Sequence, residues 1–324
     1  MKRFAHLNAR TLDEAVLYLR RYGGRAKIIA GGTDVLGRMK DEIVPTYPEA
    51  LINIKTIPGL DFIEEREGSL KIGALTKLED IARHPVIKAK FSALAEAARR
   101  TASPHIREMG TIAGNICQDI RCWYYRAPNN RFPCLRKGGG RCYAIEGDNR
   151  YHSIFGASVD GGCLAVHPSD IAPALIALDA KIRTSERKIK AEHFFEVGVC
   201  KTNVLEEDEI VTEIEISQPP VGSKSAFIKF AARETIDFPV VNCAATIVGS
   251  EGTVQAARIC LNAVYLKPYR VTSAEQAIIG KTISDNSVED AGIEAVRQAK
   301  PLARNTYMVQ IARTLVKRAV LACG

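Results

Sequence analysis

The stretch "TLDEAVLYLRRYGGRAKIIAGGTD", residues 11–34, predicts how the first part of the chain folds. It begins with the capping-box pair Thr11 and Glu14, and its helical spacing of apolar residues ends at Gly23. The "AKIIAGGTD" that follows is typical of a short buried strand that runs into glycines. A helix, a strand and a glycine loop in this order predict an α/β unit. A second capping box is predicted further on, at Thr76 and Glu79.

Length and composition indicate a globular protein with two or three domains. The chain has 324 residues, of which 46% are hydrophobic. Its first residues lack the apolar run of a signal peptide, and no stretch approaches the roughly 18 apolar residues of a membrane span. We therefore expect a cytoplasmic protein with no membrane span. The net charge of +8 bears on association and solubility rather than on the fold.

The strand and helix patterns predict three structural units. Residues 1–55 form a first subdomain, and residues 56–184 form a second one that a loop at 117–163 interrupts. Residues 185–324 form a C-terminal domain of several strands followed by three helices. The turn-rich "NIKTIPGLD" marks the first of these divisions.

Two glycine loops, "IIAGGTD" at 28–34 and "GTIAGN" at 110–115, are candidates for binding phosphate. Glycines there let backbone N–H groups approach phosphate oxygens, and Thr33 and Thr111 add hydroxyl donors. Neither loop is a G-x-G-x-x-G or a Walker sequence, and each taken singly fits a tight turn. Two such loops in one α/β region favour a shared pyrophosphate site. A side chain at Gly32 or Gly114 is then expected to obstruct the ligand.

Three segments together resemble a known family. "IIAGGTDVL", "ASPHIREMGTIAGNI" and "AFIKFAARETIDFPVV", in this order and at these separations, are similar to the FAD-binding (medium) subunit of the molybdenum hydroxylase, or xanthine dehydrogenase, family. The resemblance covers nearly the whole chain. It implies an α+β fold of the vanillyl-alcohol oxidase and CO dehydrogenase flavoprotein type. Such a fold has two α/β FAD-binding subdomains and a C-terminal domain with an antiparallel sheet and helices.

The resemblance also implies which residues contact FAD. The backbone of Ala30–Asp34 and the loop Thr111–Asn115 would hold the pyrophosphate, and Lys229 would lie near the flavin ring. Asp170 matches a cofactor contact, although Ser169–Asp170 fits a helix start equally well. Gln118 is either a polar contact or a surface-loop residue, and Thr101 stands where some relatives have an aromatic residue that stacks on adenine. The predicted cofactor-binding residues are Ile29, Ala30, Gly31, Gly32, Thr33, Asp34, Thr101, Thr111, Ala113, Gly114, Asn115, Gln118, Asp170 and Lys229.

Cysteines are concentrated in one segment. Five of the nine lie between 117 and 163, and four of these lack both the C-x2-C pairs of a zinc ribbon and the spacing of a plant-type ferredoxin. Four thiolates from a loop can ligate a [4Fe–4S] cluster without a fixed spacing. The residues 121–142 hold six basic side chains and no acid, so the charges of an anionic cluster would be offset and the loop is expected to project from the flavin domain. These residues are Arg121, Arg126, Arg131, Arg136, Lys137 and Arg141.

One branch of the family carries an inserted, cysteine-ligated [4Fe–4S] loop at this point of its flavin subunit. This branch contains 4-hydroxybenzoyl-CoA reductase and certain bacterial aldehyde oxidoreductases, and "GNICQDIRCWYY" and "GGCLAVHPSDIAPALIALDA" bracket the loop similarly here. The resemblance favours the β subunit of the reductase, with the flavin subunit of an aldehyde or N-heterocycle dehydrogenase as the alternative. The long interval between Cys142 and Cys163 is closer to the aldehyde oxidoreductases. The implied metal ligands are Cys122, Cys134, Cys142 and Cys163.

The implied enzyme is an electron-transfer complex in which the cofactors perform the redox chemistry, and no residue of this chain stands out as a catalytic acid or base. Its partners would be a large subunit with a molybdenum cofactor and a small subunit with [2Fe–2S] clusters. A ferredoxin-type electron partner is expected, because no dinucleotide fingerprint is present. The remaining cysteines and His105, His152 and His167 fit structural positions.

A protein of a different class, one that binds RNA, is the alternative to an enzyme subunit. Aromatic residues interleave with the basic ones in the cysteine-rich segment, as base-stacking side chains do in proteins that bind single strands. These residues are Trp123, Tyr124, Tyr125, Phe132 and Tyr143.

Overall fold

The computed structural model describes residues 1–43, 46–157, 162–195, 198, 201–250 and 252–324. Three sheets, each accompanied by helices, follow one another along the chain. This mixture of helices and sheets confirms the predicted α+β class. Within the described ranges, no helix is long and apolar enough to cross a membrane.

The first sheet and its helices include the helix–strand unit predicted from residues 11–34. Its elements are β1 (Ala5–Asn8), α1 (Leu12–Tyr22), β2 (Ala26–Ile29), α2 (Val35–Lys40) and β3 (Ala50–Asn53). The strands pair in parallel in the order β1–β3–β2. Thr11 Oγ1 accepts a hydrogen bond from the Glu14 N–H (3.1 Å), and Gly23 ends the helix at a φ of 49°. The glycine loop therefore begins where β2 ends, as the sequence predicts.

The second sheet is antiparallel throughout, in the order β4–β5–β8–β6–β7. Its strands are β4 (Ile63–Arg66), β5 (Ser69–Gly73), β6 (Lys181–Thr184), β7 (Lys188–Lys190) and β8 (Val211–Ser217). Because β8 pairs with both β5 and β6, the predicted division near 184 falls inside this sheet. The second subdomain continues to the end of β8.

Short helices cover the second sheet and form its core. They are α3 (Leu78–Arg83), α4 (Pro85–Lys90), α5 (Ser92–Arg99), α6 (Pro104–Arg107), α7 (Ile112–Ile116), α8 (Ile171–Ala177) and α9 (Ala191–Phe194). Every residue of α8 is buried, and the rings of Phe91, Phe194 and Phe195 are fully enclosed. The cysteine-rich loop leaves this layer after α7 and returns before α8. It contains two 3₁₀ turns, Pro128–Asn130 and Leu135–Lys137, and residues 158–161 within it lie outside the described ranges.

The third sheet is antiparallel and packs against three helices. Its strands, in the order β12–β11–β10–β9, are β9 (Ser223–Phe230), β10 (Val241–Ser250), β11 (Thr253–Asn262) and β12 (Tyr269–Arg270). The helices are α10 (Thr272–Ile278), α11 (Asp285–Val296) and α12 (Tyr307–Leu321). A separate apolar core joins β10 and β11 to α12. The predicted antiparallel sheet with helices is therefore present at the C-terminal end.

Candidate functional site

A cleft of about 850 Å³, called here the flavin cleft, is lined by residues of all three units. The two glycine loops form part of its wall and touch each other. A Cβ on Gly31 would lie only 2.0 Å from the Met109 carbonyl oxygen, so glycine alone lets the loops approach this closely. The wall here is backbone, and in the second loop the N–H groups of Ile112, Ala113, Gly114 and Asn115 already donate to protein acceptors.

Most of the predicted FAD contacts line this cleft, and two do not. Ile29 packs with Met39 and Leu51 in a small core, and Lys229 contacts Asp170 without lining the cleft itself. The predicted residues that line the cleft are Ala30, Gly31, Gly32, Thr33, Asp34, Thr101, Thr111, Ala113, Gly114, Asn115, Gln118 and Asp170.

The two glycines for which a blocking side chain was predicted have different surroundings. Gly32 has a φ of 73°, and a Cβ there would meet the side chains of Leu36 and Ile29 at 3.1 and 3.3 Å. A substitution at Gly32 would therefore strain the loop and its packing rather than fill the cleft. A Cβ on Gly114 would lie 3.0 Å from Thr111 Oγ1, which caps α7 by accepting the Gly114 N–H at 3.2 Å.

A buried ion pair supports the cleft at Asp170. Lys229 Nζ donates to Asp170 Oδ2 at 2.7 Å and to the Arg100 carbonyl at 2.9 Å, and the Lys229 side chain is 1% exposed. Asn242 Nδ2 donates to the second carboxylate oxygen at 2.7 Å. Burial raises the pKa of Asp170, while Lys229 and Asn242 act to lower it. The lysine predicted to lie near the flavin ring is thus the counter-ion of a residue that faces the cleft.

Both interpretations of Ser169–Asp170 describe part of the site. Ser169 Oγ accepts the Ala172 N–H at 3.0 Å, which starts α8, and donates to Asn115 Oδ1 at 2.5 Å. Asp170 makes no side-chain cap and lines the cleft instead. The helix start therefore ties α8 to the second glycine loop.

The predicted capping box at Thr76 and Glu79 is wrong. Thr76 donates to the Phe62 carbonyl at 2.9 Å, and Glu79 binds Arg107 at 2.6 Å. Arg107 in turn donates to the Thr101 carbonyl at 3.1 Å. Glu79 is used to hold Thr101 at the cleft wall rather than to cap a helix. The Thr101 hydroxyl donates to the Ala97 carbonyl at 2.8 Å, so it is already occupied.

Several lining residues were not predicted from the sequence. The Arg121 guanidinium lies 3.3 Å from the ring centroid of Phe238, and both residues line the cleft. Phe238 reaches the cleft from the loop between β9 and β10, inside the segment "AFIKFAARETIDFPVV". The presence of an aromatic residue inside that segment was the available signal. The cleft also includes 201–203 and 205–207, for which the sequence offered no recognisable pattern.

The four cysteines proposed as metal ligands line one small cavity, called here the thiol cage. Cys134 and Cys163 are 7% and 6% exposed, and the backbone N–H groups of Tyr124 and Tyr125 are directed at the Cys122 sulfur. Burial raises the pKa of Cys122 to about 12. The residues of the cage are Cys122, Tyr124, Tyr125, Cys134, Leu135, Arg136, Cys142, Tyr143, Cys163 and Ala165.

The thiol cage differs from a site for a single metal ion. Among the described residues, no three His, Cys, Asp or Glu side chains converge as ligands of one ion would. An iron–sulfur cluster instead binds each thiolate to a separate iron, so its ligands surround a space rather than a point. The Lys137 ammonium beside the cage is buried and has no hydrogen-bond partner in the described structure. The thiolates of Cys134 and Cys122 would stabilise its charge.

The loop was expected to project from the flavin domain with no acid opposing its basic residues. This expectation is wrong for two of the six basic residues. Arg126 binds Asp34 at 2.7 Å, and the buried Arg136 lies 3.9 Å from Asp119. Both acids lie outside the segment 121–142, so its composition could not reveal them. Arg131 and Arg141 are exposed, as expected for basic side chains on a projecting loop.

His152, predicted to be structural, contacts one of the four cysteines of the thiol cage. Its Nε2 lies 3.3 Å from the Cys122 sulfur, and the side chain is almost fully buried. Burial lowers the pKa of His152 to about 4, which keeps the ring neutral with a single N–H. Thirty positions separate it from Cys122 in the sequence, so local spacing gave no signal.

The other described cysteines lie apart from the cage. Cys243, Cys260 and Cys323 are buried in apolar surroundings, as predicted. Cys117 lines the flavin cleft and not the cage, and burial raises the pKa of its thiol to about 12. Cys200, also predicted to be a core residue, lies outside the described residues.

The aromatic residues of the loop pack mainly against one another. Tyr124, Phe132 and Tyr143 have ring centroids 5.1 to 5.9 Å apart, and Tyr125 is buried. Trp123 is 51% exposed and meets Tyr151 edge to face. This arrangement covers the thiol cage and does not form the open row of rings that single-stranded RNA requires.

Comparison with known proteins places the chain among flavoproteins. Residues 2–219 match the family described as the FAD binding domain in molybdopterin dehydrogenase, and residues 226–323 match the CO dehydrogenase flavoprotein C-terminal domain. The chain is 34% identical to the aldehyde oxidoreductase FAD-binding subunit PaoB of Escherichia coli, over 97% of this chain and 96% of that protein. It is 29% identical to the carbon monoxide dehydrogenase medium chain of Hydrogenophaga pseudoflava, over 99% and 96%.

The fold agrees with a solved structure. A chain of the carbon monoxide dehydrogenase from Hydrogenophaga pseudoflava, in a form that lacks the Mo-pyranopterin moiety of its molybdenum cofactor, superposes with a TM-score of 0.78. The match has 28% identity and covers 99% of this chain and 97% of that one. The division between the two matched families, after residue 219, follows the end of β8.

Proposed function

The chain belongs to the FAD-binding subunits of the molybdenum hydroxylase family of oxidoreductases, and we propose that it also carries a [4Fe–4S] cluster in the thiol cage. It would then serve as an electron-transfer subunit with two cofactors of its own. The observation that carries this proposal is that four cysteines, spread over 42 positions from Cys122 to Cys163, line one cavity. That cavity shares a wall with the flavin cleft, because Tyr125 lines both.

The chain's own residues fit the roles that these two cofactors require. When bound, FAD and the cluster supply the electron-transfer chemistry. The backbone of the glycine loops would bind the pyrophosphate, and Asp170, fixed by Lys229 and Asn242, would orient the ligand in the cleft. No side chain of the cleft is needed as an acid or base for this purpose.

The surroundings of the thiol cage support a bound anionic cluster. N–H groups directed at sulfur and a nearby cation both favour the thiolate over the thiol. Tyr124 and Tyr125 supply the N–H groups, and Lys137 supplies a buried ammonium that lacks a hydrogen-bond partner in the described structure. The free thiols of the described cysteines suit a reducing compartment, for which we propose the cytoplasm.

Three enzymes are candidates for the whole complex. Sequence reasoning favoured the β subunit of 4-hydroxybenzoyl-CoA reductase, with an aldehyde or N-heterocycle dehydrogenase as the alternative. The 34% identity to an aldehyde oxidoreductase subunit, together with the long interval between Cys142 and Cys163, supports the aldehyde alternative. We therefore propose an aldehyde oxidoreductase, in which a large subunit with a molybdenum cofactor binds the substrate. A small subunit with [2Fe–2S] clusters would complete the complex.

An external protein would exchange electrons with the cluster. Arg131 and Arg141 are exposed beside the cage, and they lie on the loop that carries Cys134 and Cys142. Ferredoxins are small acidic proteins, so these charges favour their approach. We propose a ferredoxin-type partner rather than a nicotinamide, since the sequence has no dinucleotide fingerprint.

Visible spectroscopy and iron analysis of the anaerobically purified full chain test this function. We expect flavin absorption bands over a broad iron–sulfur absorption, with four irons and one FAD per chain. A flavoprotein without iron would refute the cluster and leave the family assignment intact. A colourless protein that binds RNA would support the alternative class.

A further inference from the structure

The carboxylate of Asp34, at the end of the first glycine loop, is held on both oxygens by the segment that leads into the thiol cage. Its Oδ2 accepts the Asp119 N–H at 3.0 Å, and its Oδ1 accepts from Arg126 at 2.7 Å. Asp34 is the residue before α2, so its position fixes how the loop enters that helix. The shape of the flavin loop therefore depends on residues of the cysteine-bearing segment.

Arg126 is the centre of this connection. Beyond Asp34, its guanidinium donates to the carbonyls of Ile120 at 2.9 Å and Asp119 at 2.7 Å. Its own backbone N–H donates to the Cys122 carbonyl at 3.0 Å, which closes the turn 122–126. A displacement of Cys122 would therefore move Arg126 and, through it, Asp34. The Arg126 side chain is only 15% exposed, so water replaces these contacts poorly.

A second set of contacts runs beside the first. Asp119 binds Arg38 of α2 at 2.7 Å and accepts from the Tyr125 hydroxyl at 2.6 Å. Tyr125 is the residue whose ring lines both cavities. The flavin cleft and the thiol cage are thus joined by two adjacent sets of partly buried contacts rather than by a single hydrogen bond.

We propose that Arg126 is a positioning residue that couples the two cofactor sites, so that a cluster in the thiol cage tightens FAD binding in the cleft. The inference rests on the proposed function, because it requires a cluster bound to Cys122. A cluster would fix Cys122 against the other three cysteines, which holds the turn 122–126, Arg126 and Asp34 in place. Without a cluster Cys122 lacks this restraint, and the order of the glycine loop depends on FAD and on the remaining contacts of Asp34. By thermodynamic linkage, bound FAD must stabilise the cluster by the same factor.

The coupling is measured as a ratio of two FAD dissociation constants. The full chain is prepared with its cluster and, by anaerobic chelation, without it, and FAD is titrated into each flavin-free form while flavin fluorescence is followed. We expect about tenfold weaker binding in the cluster-free form, within the range of about 5–150-fold that is typical of coupled sites. A supporting readout is the rate at which a chelator removes iron, which we expect to be faster in the flavin-free protein.

Arg126→Gln should bring the ratio close to one, because the amide cannot bridge Asp34 and the turn. Arg126→Lys keeps the charge and one bond, and should recover part of the ratio. Arg131→Gln is the matched control, since Arg131 lies on the same loop but is exposed, and it should leave both constants unchanged. If Arg126→Gln fails to fold, Asp34→Asn removes the charge at the other end of the same contact and tests the same ratio.

The outcomes separate the inference from the proposed function. Absence of iron from every preparation would refute the cluster itself. A wild-type ratio of one, with four irons and FAD present, would overturn the coupling and leave the proposed function standing. A tenfold ratio that persists in both Arg126→Gln and Asp34→Asn would show that Arg126 does not carry the coupling.

Discussion

The flavin cleft and the thiol cage are neighbours that bind their ligands by different means. The cleft presents backbone, because the loops at Gly31 and Gly110 approach too closely for side chains. The cage presents four sulfurs, and its backbone serves to direct N–H groups at them. A binding wall made of backbone tolerates most substitutions, except where the two loops touch. A ligand set made of side chains tolerates almost no substitution. Mutations should therefore impair the cleft only where the loops touch, whereas mutation of any of the four cysteines should impair the cage.

The largest effect is expected in the thiol cage. Cys134→Ser should abolish or convert the proposed cluster, because a serine oxygen is a poor replacement for a thiolate on iron. Cys323→Ser is the control, since Cys323 is equally buried but lies in the C-terminal core. Iron analysis should show loss in the first variant and no change in the second. Four irons per chain in Cys134→Ser would require a different ligand set.

The next largest effect is expected where the two glycine loops touch. Gly31→Ala places a Cβ 2.0 Å from the Met109 carbonyl oxygen, so one loop must move, and we expect near-complete loss of bound flavin. Gly37→Ala is the matched control. Gly37 is exposed in α2 with open space around it, and alanine there should stabilise the helix by about 0.5–1 kcal/mol. Flavin content and thermal unfolding measure both results, and normal flavin in Gly31→Ala would refute the backbone wall.

Local signals explain why the glycine loops and the cysteines could be predicted. A glycine loop after a strand and a cluster of a rare residue type are visible in a short window of sequence. The cap at Thr11 and the strand that precedes the first glycine loop are local in the same sense, and both are present. What the strand pairs with is not a local property, which is why the division near 184 fell inside the second sheet.

Contacts between distant residues explain what the sequence could not reveal. Arg126 binds Asp34, which is 92 positions away in the sequence, and His152 contacts Cys122, which is 30 positions away. The composition of residues 121–142 indicated that Arg126 was unopposed, because its partner Asp34 lies in another segment. Likewise, Glu79 had the spacing of a capping residue, but α3 begins at Leu78 and the Glu79 carboxylate is bound by Arg107, 28 positions away.

A smaller effect is expected behind the wall of the cleft, at the ion pair of Lys229 and Asp170. Lys229→Met leaves a buried carboxylate without its cation and should destabilise the fold by about 3–5 kcal/mol. Lys224→Met is the control, because Lys224 lies on the same strand but is exposed. Thermal or denaturant unfolding measures the difference. Equal stability of the two variants would show that Asp170 is already neutral in the native protein.

The same variant has a predictable pH dependence. Burial raises the pKa of Asp170, and removal of Lys229 should raise it further, because the cation is the largest factor that lowers it. A carboxyl group whose pKa is higher in the folded than in the unfolded state binds more protons when folded, so stability falls as pH rises through that interval. We expect the deficit of Lys229→Met to shrink as pH is lowered towards the ordinary pKa of aspartate. A deficit that does not change with pH would exclude this cause.

The smallest effect is expected outside both regions, at the exposed charges of the cysteine-rich loop. Arg131 and Arg141 lie beside the cage without entering it, and exposed charges act over about 10 Å at 0.1 M salt. Replacing both by Gln should slow electron exchange with an acidic ferredoxin a few-fold at low salt and flatten its salt dependence, because steering depends on long-range attraction. FAD and iron contents should stay normal.

Arg297→Gln with Arg318→Gln, two exposed positions at the C-terminal helices, is the control of equal charge. Stopped-flow kinetics across a salt series measures the rates. An identical salt dependence in both double variants would mean that the loop's exposed charges do not guide an external protein, and the contrast between the regions would then concern cofactor binding alone.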